Sequence, residues 1–199
     1  MKKIKTVFRI DRNTKIATSD IMDQATWVLM GEGVATIKFD GTAALVREGS
    51  LWKRYDRRPE KRFLRQLKSD PAFQITPDMF KPAPPQFEAC ESTPDEKTGH
   101  WPGWVPVGDG PEDRWFREAW RHEEFQPGTY ELVGPKVQNN RYQLERHELW
   151  RHGSKTVELE RTFEAIKAWL ELNPHEGLVF HHPDGRMAKI RRKDFQLDW

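Results

Sequence analysis

The sequence predicts an α+β fold built on antiparallel sheets, and three observations predict it. Strand-like runs come in pairs joined by turn residues, and helix-like segments lie between the pairs. The run VATIKFD (34–40) alternates, placing Ile37 and Phe39 on one face and Thr36, Lys38 and Asp40 on the other.

Taken in order, residues 27 to 47 read as strand material broken at a turn, with Gly41 permitting a sharp turn into residues 43 to 46. Pro59 opens a helix that runs through Lys68 and is stopped by Asp70-Pro71. Residues 71 to 110 read as irregular, with PAPP at 82 to 85 and then TGHWPGWVPVGDG. That is a long surface connection in which Trp101 and Trp104 still need somewhere to pack. Pro111 starts a helix through about Glu123, with Trp115, Phe116 and Ala119 facing inward. Strands follow at 129–134 (TYELVG) and 147–152 (HELWRH). Residues 157 to 172 (VELERTFEAIKAWLEL) read as a helix. Leu159, Phe163, Ile166, Trp169 and Leu170 form its apolar face, Glu158 and Glu160 suit its amino end, and Asn173-Pro174 stops it. GLVFHH is a strand, HPDG (182–185) a turn, and RMAKIRR the returning partner.

The chain of 199 residues is long enough for one domain, taken as 1–199, with a real core. Hydrophobic residues make up 36% and charged residues 32%, and no apolar run approaches the roughly 18–20 residues of a membrane span. The opening MKKIKTVFRIDR lacks the apolar region of a signal peptide. The expectation is a cytoplasmic or nuclear protein with no membrane partner, acting as a monomer, and the lone Cys90 fits a reducing compartment. Net charge is only +2, but cations cluster at 52–68 (WKRYDRRPEKRFLRQLK) and 186–193 (RMAKIRRK). Such runs are commonly solvated faces; beside phosphate chemistry they suit a nucleic-acid backbone.

Three short elements carry chemistry. Lys38-Phe39-Asp40-Gly41 is a K-x-D-G at a strand-to-turn junction, a pattern that accident alone puts in about one chain of this length in twenty. Glu176-Gly177 leads into an apolar strand, and Lys189-Ile190-Arg191 places two cations on one strand face. Alone, each is weak: a surface lysine beside a hairpin, an ordinary strand start, a solvated edge.

In this order the three resemble the covalent nucleotidyltransferase superfamily of ATP-dependent ligases and mRNA-capping enzymes. FRIDR, LWKRYDRRP, TYELVGPKVQNNRY and EGLVFHHPDGRMAKI resemble, more closely, a family of small stand-alone RNA ligases, from about residue 7 onward. The resemblance implies an α+β nucleotidyltransferase domain, similar to the ATP-grasp-like adenylation domains of ligases. Its two packed antiparallel sheets would have flanking helices and hold ATP between them. It implies Lys38 as the nucleophile, with Ile37 and Gly41 beside the nucleotide and Glu176 holding metal or ribose. Lys189 and Arg191 would sit on phosphates, Arg191 replacing the usual second lysine. Glu131 would contact ribose, and Arg54 the ribose or the incoming 5′-phosphate. Trp150 is the candidate for stacking on adenine, and Lys53, Arg54 and Arg57 would hold RNA. Asp40 and Glu176 would ligate Mg²⁺, or Mn²⁺ in its place. One departure is Thr42-Ala43, where many DNA ligases carry an arginine two residues after the glycine.

The implied reaction joins RNA 5′-phosphate and 3′-hydroxyl ends through a lysyl-AMP intermediate. A lysine with the reference pKa of about 10.4 is almost fully protonated at neutral pH. Lys189, Arg191 and Mg²⁺ are therefore expected to lower the Lys38 pKa and to offset charge on departing pyrophosphate. A DNA ligase or mRNA guanylyltransferase normally carries an oligonucleotide-binding barrel after the last motif. The sequence stops ten residues after Lys189, at Trp199, so no such carboxyl-terminal domain is expected. The remaining rival is a non-catalytic RNA-binding module, although Lys38, Glu176 and Lys189 are all present. His100, His122, His147, His152, His175, His181 and His182 are assigned surface or packing roles.

Overall fold

Apolar side chains at alternate strand positions need a second layer to cover them, and the described residues build two larger cores and one small cluster to do so. The computed structural model describes every residue except Met1, Lys2, Pro71, Lys97, His122 and Glu123. The strands are β1 (Lys5–Thr6), β2 (Phe8–Ile10), β3 (Ala17–Ile21), β4 (Val34–Lys38), β5 (Thr42–Arg47), β6 (Ser50–Arg57), β7 (Glu88–Ala89), β8 (Trp101–Pro106), β9 (Gly128–Val133), β10 (Glu148–Arg151), β11 (Thr156–Val157), β12 (Gly177–His181) and β13 (Met187–Arg191). The helices are α1 (Thr26–Leu29), α2 (Lys61–Ser69), α3 (Arg114–Trp120) and α4 (Phe163–Leu172). The chain divides into a terminal unit, Ile4–Asp40 with Trp150–Trp199, and a middle unit around Gly41–Leu149.

In the terminal unit a five-stranded sheet runs β1-β13-β12-β4-β11. Ala35 and Ile37 of β4, Leu178 and Phe180 of β12, and Ala188 and Ile190 of β13 point to one side, where Ile166 and Leu170 of α4 cover them. Phe8, Trp27 and Phe195 complete that core. The hairpin expected at 177–191 is present with register Gly177↔Arg191 and Val179↔Lys189. The expected all-antiparallel pattern needs correction, because β1 pairs with β13 in parallel and β2–β3 form a small third sheet.

Two local expectations in this unit are also corrected. Residues 27 to 29 are helical rather than extended: Trp27 is fully enclosed in the core and its indole N–H donates to the Gln24 carbonyl at 3.0 Å. The helix expected from 157 begins only at Phe163, because Thr156 and Val157 pair with Thr36 and Ala35 as an edge strand. Thr162 then caps α4, its Oγ1 accepting from the Ala165 N–H at 3.1 Å. Thr162→Ala is expected to cost about 1 kcal/mol, as a lost amino-terminal cap does. Thermal unfolding of the two proteins checks this, and equal melting temperatures would count against it.

In the middle unit a six-stranded sheet runs β10-β9-β5-β6-β8-β7. One face carries Ala44, Val46, Leu51, Tyr130 and Leu132, packed against Phe116 and Ala119 of α3. The region expected to be irregular contains β8, which pairs with β6 over six residues from Trp52↔Pro106 to Arg57↔Trp101. The two prolines and the glycine of WPGWVP punctuate the sequence, yet β8 meets only the two-residue β7 on its other side. Trp101 and Trp104 are both buried as their size requires. Phe63 and Leu67 of α2 rest on a small cluster of Ile75, Phe80 and Trp101. The expected carboxyl end of α3 near Glu123, and His122, lie outside the described residues. Among the described residues no helix is long and apolar enough to cross a membrane.

Candidate active site

The site in the terminal unit is set by strand register. Gly177 of β12 lies between Lys38 of β4 and Arg191 of β13, and Val179 lies between Thr36 and Lys189. Directly paired residues share a sheet face, so Lys38, Thr36, Lys189 and Arg191 all stand on the face opposite the core. Gly177 is required there: a Cβ on it would lie 2.1 Å from the Ile190 carbonyl oxygen and 2.8 Å from Arg191 Cα. The absence of that side chain lets β13 close against β12 and leaves Glu176 at the strand mouth, beside Lys38.

Lys38 Nζ donates to a Glu176 carboxylate oxygen and, at 3.3 Å, to the Phe39 carbonyl. Both side chains are mostly shielded, at 22% and 16% exposure, so the pair is well protected from screening. Lys189 is half-buried on the same face. Burial first, then the positive charges of Arg191 and Lys38, pull its ammonium down to about 8, while Glu176 and Asp194 act in the opposite sense. Arg191 is already engaged. Its Nη2 and Nε donate to Asp194 at 2.8 and 3.1 Å, and its backbone N–H donates to the same carboxylate at 2.9 Å. Asp194 is 3% exposed, so Arg191 is fixed as one half of a local capping box.

Asp40 accepts a hydrogen bond from the Trp199 indole at 2.8 Å. The Ile37 side chain is in the core, and its N–H donates to the Lys155 carbonyl at 2.9 Å. Trp150 meets Phe39 edge-on at 5.1 Å, with Lys155 Nζ 4.8 Å from the centre of its ring. The sequence motifs include neither Lys155 nor Trp199. Only the position of Lys155 just before an edge strand hints at it, and nothing local marks Trp199.

The other predicted residues lie in the middle unit. Gly41 ends the K-x-D-G run with a close approach instead of a left-handed turn: a Cβ there would sit 2.1 Å from the Leu132 carbonyl oxygen. β4 and β5 also belong to different sheets, so the chain passes this glycine without forming a hairpin. Glu131 pairs with Ala43, and Leu45 pairs with Trp52. Counting two residues along each strand puts Glu131 and Arg54 on the same face, the one away from the core of this unit. Arg54 donates to Asp56 at 2.9 Å. Lys53 and Arg57 stand on the opposite face. Lys53 is paired with buried Asp113, and Arg57 donates to the Lys81 carbonyl at 2.8 Å while lying over Trp101 and Phe80.

The histidines do packing work where they are described. His147 is 2% exposed, stacks on Trp115 at 4.5 Å and lies 3.0 Å from Glu118. Thr36 Oγ1 lies 3.0 Å from His181 Nε2, whose pKa burial lowers.

What the terminal unit presents is a primary amine against a carboxylate, with a second lysine and an arginine along the same face. Such a face can bind an anion and deliver a nitrogen nucleophile to it. No protein-family model matches the chain. Over 92% of its length it is instead similar to proteins named RNA ligase 1, being 28% identical to those of Mus musculus and Rattus norvegicus and 27% identical to that of Danio rerio, and it spans 73–74% of each relative.

Proposed function

We propose that the chain is an ATP-dependent RNA ligase that joins 5′-phosphate and 3′-hydroxyl ends through a lysyl-AMP intermediate on Lys38. The observation that carries this reading is the register of β4, β12 and β13, which sets Lys38 and Lys189 on the sheet face opposite the core, with the Glu176 carboxylate against the Lys38 amine. The similarity to proteins named RNA ligase 1 supports the substrate class.

In the first step the Lys38 ammonium gives up a proton to water, leaves the Glu176 carboxylate and attacks the α-phosphorus of ATP. A P–N bond forms, the bond to the β-phosphate oxygen breaks, and pyrophosphate departs. Lys189 supplies positive charge to the phosphates, and being half-buried it acts in a medium where that charge is weakly screened. In the second step an oxygen of the RNA 5′-phosphate attacks the lysyl phosphorus and takes AMP, restoring the amine. In the third, the 3′-hydroxyl attacks the RNA phosphate and AMP leaves. Glu131 and Arg54, on their shared sheet face, are assigned to ribose and the 5′-phosphate.

Asp40 and Glu176 are oxygen donors suited to Mg²⁺. Among the described residues there is no group of three or more His, Cys, Asp and Glu side chains that could hold a metal unaided. This donor set fits a cation held by one or two carboxylates together with substrate phosphates. Bound there, Mg²⁺ would offset charge on the α-phosphate and on departing pyrophosphate.

The test is incubation with α-labelled ATP, GTP or NAD⁺ and Mg²⁺, followed by a denaturing gel and then by a sealing assay on nicked RNA and DNA. Label from ATP and sealing of RNA are expected. Label from GTP alone would make the chain a guanylyltransferase, and no label from any donor would leave a binding module.

A further inference from the structure

We propose that the exposed face of α2 is a docking stripe for the phosphate backbone of the RNA strand. The inference rests on the ligase reading for its biological sense. Its physical basis is the charges of one helix.

Lys61, Arg62, Arg65 and Lys68 are all exposed on α2, and no acid lies among them. At 100° per residue, Lys61, Arg65 and Lys68 fall within one narrow stripe. Their steps along the axis are about 6 and 4.5 Å, so the stripe is about 10 Å long and meets successive phosphates of an extended strand. Arg62 flanks it.

This arrangement works against the helix that carries it. Lys61 and Arg62 occupy the first turn, where the helix dipole favours acids, and that turn has none. Lys61/Arg65 and Arg65/Lys68 are like-charge neighbours at i,i+4 and i,i+3, which repel. The Glu60 side chain at the amino-terminal cap makes no capping hydrogen bond and faces Arg62 at 3.0 Å instead. A polyanion laid along the stripe relieves both kinds of repulsion at once.

The neighbouring strand narrows the choice of residues. Lys53 is taken by Asp113, and Arg57 by the Lys81 carbonyl and two aromatic rings, while Arg54 is assigned to the reacting end. The exposed cations of the 52–68 run are the four of α2 and Arg58, and Arg58 lies outside the stripe with its Nη1 2.9 Å from His100 Nε2. An anionic lipid surface is the lesser fit. The apolar side chains Phe63 and Leu67 are packed on Ile75, Phe80 and Trp101, so the helix has no apolar face to sink into a bilayer.

The experiment is fluorescence anisotropy of a labelled single-stranded RNA with the full chain, without ATP, between about 50 and 200 mM salt. Leaving out ATP separates this result from the fate of the lysyl-AMP reading. K61E/R65E/K68E is expected to weaken binding about tenfold or more and to lower the log–log salt slope by about 2, at roughly 0.7 for each phosphate no longer neutralised. K61Q/R65Q/K68Q, which keeps good helix formers, should show the same direction with a smaller loss of affinity. R12E/K136E/K167E changes net charge equally at exposed sites elsewhere and should bind nearly as wild type. Wild-type affinity in both α2 variants overturns the proposal, and so does an equal loss in the control. Binding of wild type to anionic vesicles that α2 substitution abolishes, with RNA binding unchanged, overturns it in favour of a membrane surface.

Discussion

Lys38→Ala protein is expected to take up no AMP from ATP, a loss of about 10³-fold or more, the scale on which removal of a reacting nucleophile acts. The step needs a nitrogen lone pair, and alanine offers none. Lys38→Arg is the sharper test. A guanidinium can still reach Glu176 from the same strand position, so the ion pair beside Gly177 is kept. Arginine stays protonated at any working pH and has no free amine to form the P–N bond. The two variants should therefore be equally silent on the denaturing gel, while Lys38→Arg melts close to wild type. Label on Lys38→Ala at the wild-type level would remove Lys38 as the acceptor and with it the reading of the K-x-D-G run. Label on Lys38→Arg alone would mean that another residue accepts AMP when the cation beside Glu176 is kept, and would also remove Lys38 as the acceptor.

How much of this is legible in the sequence depends on how local the cause is. The hairpin of β12 and β13 is legible, because alternation and the HPDG turn are local signals and fix the register that aligns Gly177 with Arg191. The two faces of β4 are legible for the same reason: Ile37 and Phe39 are buried, while Lys38 stands opposite them. The start of α4 is not. Val157 and Leu159 extend its apolar period, but Val157 is claimed by Ala35, more than a hundred residues away in sequence. β8 is hidden by Pro102, Gly103 and Pro106, which read as loop residues unless it is known that one edge of the strand is nearly free. At the site, the hold of Asp194 on Arg191 is three residues long and open to reading as a capping box. The pairing of Lys53 with Asp113 and of Asp40 with Trp199 is not, since neither partner carries a local mark. The motifs draw attention to the charge state of Lys38. The depth of Lys189, whose ammonium burial pulls down to about 8, comes from the packed sheet and leaves no trace in the motif.

Lys189→Met is expected to make the protein more stable and less active, and the two effects should separate with pH. In the folded chain the Lys189 ammonium is disfavoured by burial and by Arg191 and Lys38, so its pKa falls from 10.5 to about 8. The unfolded chain then binds more protons than the folded chain between about pH 8 and 10.5, and stability rises with pH across that window. Below pH 8 the full penalty of keeping the charge is present; above 10.5 it has vanished. Methionine has similar length and no charge, so at pH 7 the variant should melt higher by roughly 2–4 °C, the shift that about 1 kcal/mol produces in a chain of this size. The gap should close by about pH 10. Activity should move the other way. Loss of one preorganised cation at developing charge lowers AMP uptake by about 10- to 1,000-fold. At low ATP the rate reports the free protein, so the wild-type to variant ratio should fall as pH rises through about 8, where wild type loses the same charge. Unfolding curves at pH 7 and 10, with AMP uptake from pH 6 to 10, decide the matter. A ratio near one at every pH with unchanged melting temperatures would make Lys189 an ordinary surface lysine.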